Sequence, residues 1–185
     1  MKKVLAIILS SLLVISAVGC SKPSTEKHNS APNSNETAKK EAPVEIPSKD
    51  EINLDKAIEL ALREIDGTVV SAEYEHGTNS YYEVDIVKDK AKHEIEVEAK
   101  TGNILRNEID NNYTYNIGEI KITLDEAKDI ALKNIAGGTI KSLSLEKSGN
   151  VDIYNFDILK DKHDYDVEIN ALDGSVIKSE KDLND

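Results

Sequence analysis

The chain has 185 residues, 39% of them hydrophobic and 31% charged, and 35 acidic against 23 basic side chains give a net charge of −12. Such a surface repels nucleic acid and anionic lipid, so no nucleic-acid partner is expected, and basic proteins or cations are favoured. The single cysteine, Cys20, excludes an intrachain disulfide and any four-cysteine zinc site.

Lys2 and Lys3 open the chain, and an apolar stretch runs from Val4 to Val18. It is short for a membrane span and proportioned like the apolar core of an export signal. The stretch ends in Ala17-Val18-Gly19-Cys20, which resembles the lipobox of bacterial lipoproteins. That resemblance implies a signal peptide over 1–19, a diacylglycerol on the Cys20 sulfur, and Cys20 as the mature N-terminus. Two or more acyl chains hold a protein at a membrane far more firmly than one. Residues 20–50 then form the lipidated cysteine and a disordered linker. All four prolines lie there among Ser, Asn, Lys and Glu, and as a coil the segment reaches on the order of 30 Å. His28, within it, reads as a solvated loop residue.

From residue 52 the sequence repeats. Ile52–Leu62 aligns with Ile122–Leu132, with six identities in eleven positions. Tyr82–Ile104 aligns with Tyr154–Val176, with nine identities in twenty-three. Two such blocks in the same order make two copies of one module, expected at 51–112 and 118–185. The acidic excess is split between them, 16 acidic against 7 basic residues in 51–120 and 14 against 9 in 121–185. Each copy begins with an amphipathic helix. In the first, Leu54, Ala57, Ile58, Ala61, Leu62 and Ile65 follow the 3.6-residue period, with Asn53 as N-cap and Gly67 at the exit. In the second, Thr123 and Glu126 form a capping box, Leu124, Ala127, Ala131 and Ile135 make the stripe, and Gly137-Gly138 ends it.

Strands follow each helix. Val69–Glu75 is the first. Tyr82, Val84 and Ile86 then alternate with acids, as do Ile95, Val97 and Ala99, and period two with one apolar face predicts antiparallel pairing. The charged runs 88–92 and 160–164 are the expected hairpin loops, and Gly102 and Gly174 turn the chain into a last strand. The expected fold is α+β. It comprises two tandem modules, each one helix packed on an antiparallel sheet of about four strands, with two separate sheets expected and pairing through edge strands into one larger sheet as the alternative.

This order, with Tyr82-Glu83-Val84-Asp85-Ile86 and Ile95 to Gly102, and again with Tyr154-Asn155-Phe156-Asp157-Ile158 and Val167 to Gly174, resembles the PepSY domain. The family has Pro-Gly after the helix where this chain has Asp66-Gly67 and Ala136-Gly137. The resemblance covers nearly all of 52–182. It implies a non-enzymatic module found in metalloprotease propeptides, where it assists folding and inhibits the attached enzyme. By extension, this chain is expected to be a protein-interaction module that modulates a secreted or cell-wall peptidase in trans. The alternative is a structural or sensory envelope protein that binds cell-wall components or cations. A short lipoprotein with one cysteine points to the outer face of a Gram-positive cell membrane.

No catalytic constellation is evident. His76, His93 and His163 lack metal-ligand spacing and read as solvated, no calcium loop is present, and no cofactor is expected. The surface that stands out is acidic. Glu83, Asp85, Glu94, Glu96 and Glu98 alternate with core positions and are expected on one outward face, repeated by Asp157, Asp166 and Glu168. Its function could be docking of a basic partner or weak calcium binding. The reading preferred on the sequence alone is a solvated face that discourages edge-to-edge pairing.

Overall fold

The computed structural model describes residues 46–113 and 116–182. The expected signal peptide, Cys20 and most of the linker lie outside the described residues. Within them the order is α1 (Leu54–Glu64), β1 (Thr68–Glu75), β2 (Tyr81–Lys88), β3 (Ala91–Glu98), β4 (Ile104–Asp110), α2 (Leu124–Asn134), β5 (Thr139–Ser148), β6 (Val151–Lys160), β7 (His163–Asn170) and β8 (Val176–Lys181).

Both helices start where the sequence predicts. Asn53 Oδ1 accepts the Lys56 amide at 3.0 Å. In the capping box of α2, Thr123 Oγ1 accepts the Glu126 amide at 3.2 Å and Glu126 Oε2 accepts the Thr123 amide at 2.9 Å. On the buried faces of the helices, Ala57, Ala61, Ala127 and Ala131 have no exposed surface. Leu62 only flanks them, packed half-buried against the core.

The two copies do not make separate sheets. All eight strands form one antiparallel sheet in the order β4-β3-β2-β1-β5-β6-β7-β8. The physical reason is the first strand of each meander. β1 pairs with β2 on one side only, and its other edge is a row of open amides and carbonyls. β5 has the same open edge. The two edges satisfy each other through Ser71↔Ser144, Ala72↔Leu143 and Glu73↔Ser142. One hydrophobic cluster therefore runs through both copies, including Ala72, Val84, Ile86, Ile95, Leu143, Phe156, Ile158 and Val167.

This seam has internal two-fold symmetry. Ala72 faces Val84 across β1 and β2, and Leu143 faces Phe156 across β5 and β6. Ala72 and Leu143 are thus equivalent positions, and they are also each other's partners across the seam. The bulges repeat too. β1 shifts register between Val69 and Ser71, β5 between Ile140 and Ser142, β3 between Glu96 and Val97, and β7 between Glu168 and Ile169.

The recurring motif residues have one joint task, which is to fasten the segment before each helix to the sheet. The Tyr82 hydroxyl donates to the Ile52 carbonyl at 2.7 Å, and the Tyr154 hydroxyl donates to the Ile122 carbonyl at 3.2 Å. The Ile52 amide donates to the Ala99 carbonyl at 2.8 Å, and the Ile122 amide to the Ala171 carbonyl at 3.0 Å. Gly102 and Gly174 turn at φ +76° and +73° against Leu60 and Ile130, where a side chain would be both strained and crowded. Burial raises the phenol pKa of both tyrosines, that of Tyr154 to about 12, so both remain donors. The inter-copy connection is held similarly. The Gly118 amide donates at 2.7 Å to Asp152, which is only 3% exposed, and Lys147 donates to the Asn116 carbonyl at 2.9 Å.

The expected five-residue hairpin loops are shorter than the sequence reading. Only Asp89-Lys90 and Asp161-Lys162 turn, all four at positive φ between 51° and 70°. Two successive positive-φ residues continue the right-handed twist of the flanking strands, so pairing extends to the turn. Lys88 pairs with Ala91, and Val87 with Lys92.

Candidate functional site

Alternation along the strands sends Tyr82, Val84, Ile86, Ile95 and Val97 to the helix side and the intervening residues to the opposite face. Among the described residues no helix covers that second face. It is the candidate functional surface.

By alternation all five acids predicted to share it lie on it. Glu83 stands directly opposite Glu96, and Asp85 directly opposite Glu94. Glu98 lies at the end of this row, opposite Tyr81, where its carboxylate accepts the Thr101 hydroxyl beside the turn into β4. Like charges opposite each other destabilise a sheet, and two cations relieve them. Lys92 Nζ lies 2.9 Å from Asp85 and 2.7 Å from Glu94. Arg106 lies 2.9 Å from Glu96 and 3.4 Å from Glu108, with Glu83 and Glu94 each at 3.9 Å. The Lys92 side chain is only 17% exposed, so its charge is committed to this cluster.

Sequence reasoning missed both cations. Lys92 was placed in a loop, but the tight turn draws it into β3. The bulge opposite Glu96 inserts Leu105, and β4 then presents Arg106 to the acidic face. The pKa pattern follows from this crowding. Burial raises the Asp85 carboxyl against the pull of Lys92, and burial followed by Asp85 and Glu94 raises Glu83. Burial alone would lower Lys92, but Glu94 and Asp85 reverse that and hold it above an ordinary lysine.

In the second copy the equivalent surface is built differently. Asp157 and Asp166 stand opposite each other where the first copy has Asp85 and Glu94. The position of Lys92 is taken by Asp164, which pairs with Lys141 at 2.8 Å. Lys178, equivalent to Arg106, reaches Asp166 at 3.3 Å and Glu180 at 2.8 Å. Asp157 accepts the Ser142 hydroxyl at 2.5 Å. Burial, and then Asp166, raises its pKa against that hydrogen bond.

Where the copies meet, this face holds a cavity of about 220 Å³ lined by Ser71, Glu73, Ser142, Leu143, Ser144, Asn155 and Asp157. Among the described residues no group of three or more His, Cys, Asp or Glu side chains is disposed to hold a metal ion. His93 is not fully solvated as the sequence reading has it, since its Nδ1 is buried without a hydrogen bond.

Comparison with known proteins bears on what carries this surface. The chain is 30% identical over 135 residues to the Bacillus subtilis protein called uncharacterized protein YkoJ, covering 72% of this chain and 76% of that one. Among solved structures, a candidate lipoprotein from Clostridium difficile aligns at 25% identity with a TM-score of 0.44, covering 73% of this chain and 96% of that one. The C-terminal domain of YpeB from Bacillus megaterium aligns at 19% identity and a TM-score of 0.33, covering 75% and 69%. The family described as peptidase propeptide and YPEB domain matches twice, at 51–108 and 121–180, and the chain belongs to this family, PepSY, as a tandem pair.

Proposed function

We propose that the protein is a lipid-anchored, extracytoplasmic interaction module that restrains a secreted or cell-wall peptidase without turning over a substrate. The observation that carries this reading is the double match to a family described by its peptidase propeptides. The sequence before residue 51 supports the location, because an export signal over 1–19 followed by a lipidated Cys20 and a polar linker would hold the sheet off the membrane within reach of secreted enzymes. A relative in Bacillus subtilis agrees with a Gram-positive envelope. Two modules on one chain present a broad rigid sheet face, and a face bearing this much acid favours a basic partner.

The test uses purified residues 21–185 against the secreted peptidases and wall hydrolases of the host. At least one is expected to be slowed at micromolar concentration, on the order of a −8 kcal/mol interaction. If none is slowed and no envelope protein is captured, the inhibitor reading fails and the structural or cation-binding reading replaces it. Mass spectrometry of the mature protein tests the anchor, with an acylated N-terminal peptide beginning at Cys20 expected.

A further inference from the structure

The five acids that stand out in the sequence are not where the open sheet face has charge to spare. Asp85, Glu83, Glu94 and Glu96 share Lys92 and Arg106. Asp164 and Asp166 have Lys141 and Lys178. At the seam, by contrast, neither Glu73 nor Asp157 has a cation at ion-pair distance among the described residues. Both line the cavity of about 220 Å³, together with the hydroxyls of Ser71, Ser142 and Ser144 and the Asn155 amide. The cavity is smaller than the roughly 300 Å³ at which pockets for drug-sized ligands begin, and it is open to solvent.

We propose that this seam cavity receives the ammonium group of a lysine side chain presented by a protein partner. An ammonium has three donors and no acceptor. The lining offers carboxylate oxygens on two sides and hydroxyls that can turn their lone pairs inward. Both carboxylates are exposed at the cavity, and partial burial with neighbouring acids still raises both pKa values, at Asp157 against the Ser142 hydrogen bond and the more distant Lys141. A cation placed between them relieves that penalty, which a neutral guest cannot do. The cavity is assembled from β1 of one copy and β5 and β6 of the other. Neither module has it alone, which gives the tandem arrangement a role in recognition. The proposal rests on the interaction-module reading and specifies its contact point.

The experiment uses the full chain in detergent micelles and three short capped peptides that differ only in one residue, lysine, acetyl-lysine or norleucine. Backbone amide shifts are followed by NMR. The lysine peptide is expected to saturate shifts at Ser71, Glu73, Ser142, Ser144 and Asn155, with an affinity on the order of millimolar for a single contact of this kind. The acetyl-lysine and norleucine peptides should leave them unmoved. E73Q/D157N should weaken the lysine peptide at least tenfold, while E94Q/E96Q should change it less than twofold. Should E73Q/D157N fail to fold, S71A/S144A serves instead, with a several-fold loss expected. Equal shifts from the acetylated peptide, shifts centred on Glu94 and Glu96, or no saturation would each overturn the seam site. Peptidase inhibition is scored separately. Inhibition that survives E73Q/D157N unchanged overturns the seam as the contact while leaving the inhibitor reading in place. Lysine-peptide binding at the seam with no hydrolase slowed does the reverse.

Discussion

Tyr82 and Tyr154 show how much one motif residue settles. Each ring fills the core and each hydroxyl reaches the carbonyl of the residue that leads into the helix. Phenylalanine keeps the ring and deletes the donor, leaving a carbonyl without that partner. Tyr82→Phe and Tyr154→Phe are each expected to lower stability by about 0.5–1.5 kcal/mol in urea unfolding. The hairpin lysines go the other way. Lys90 and Lys162 sit at φ +70° and +65°, where an L side chain crowds its own backbone. Lys90→Gly and Lys162→Gly are each expected to raise the urea midpoint, by about 0.5–1 kcal/mol of stability after the added freedom of the unfolded chain is subtracted.

At the scale of elements, the helices are set by alanine rather than by their leucines. Ala57, Ala61, Ala127 and Ala131 have no exposed surface. A leucine there forces helix and sheet apart, so Ala61→Leu and Ala131→Leu are each expected to cost about 1–3 kcal/mol. Circular dichroism melts should record a lower Tm for both. The 3.6-residue pattern showed which face is buried, and caps and turn glycines showed where helices start and strands reverse. The bulges were not legible, because they come from the pairing of two strands rather than from the composition of one. Arg106 was missed for that reason, since its face follows from Leu105 being extruded across from Glu96. Lys92 was missed because two non-glycine residues occupy the positive-φ turn, which the turn chemistry of Asn-Gly or Gly-Gly would have announced.

For the whole molecule, the decisive feature is the join between β1 and β5, which one copy read alone cannot reveal. Each repeat supplies a complete meander, and the sequence holds no mark saying that two open edges will find each other. Of the seam cavity, Asp157 was legible as an outward acid, but Glu73 and the serines became neighbours only through that join. The joined sheet concentrates acid, and this sets the pH dependence. Glu73, Glu83, Asp85 and Asp157 have pKa values raised on folding. In the window above their unfolded values the folded state binds more protons than the unfolded one, so stability falls as pH rises through their folded pKa values. Glu51, Glu59, Glu126 and Asp173 are lowered, chiefly by hydrogen bonds to their carboxylates. Their contribution is lost as pH falls below the ordinary carboxylate range of about 4. Stability should therefore rise on acidification from pH 7 and turn over near that range. Urea midpoints across pH 3–8 check this, and E83Q/D157N should flatten the neutral limb.

The self-matching seam also speaks to history. Ala72 and Leu143 are the same position in two copies and face one another, so the pairing is one that two separate chains of a single copy could have made as a homodimer. Duplication and fusion of the coding sequence would convert that dimer into one chain without moving a strand. Fusion would leave the two halves free to diverge at the axis. Glu73 now answers to Ser144 and Glu83 to Asn155 in the other half, a lopsidedness that no symmetric pair of identical subunits could evolve.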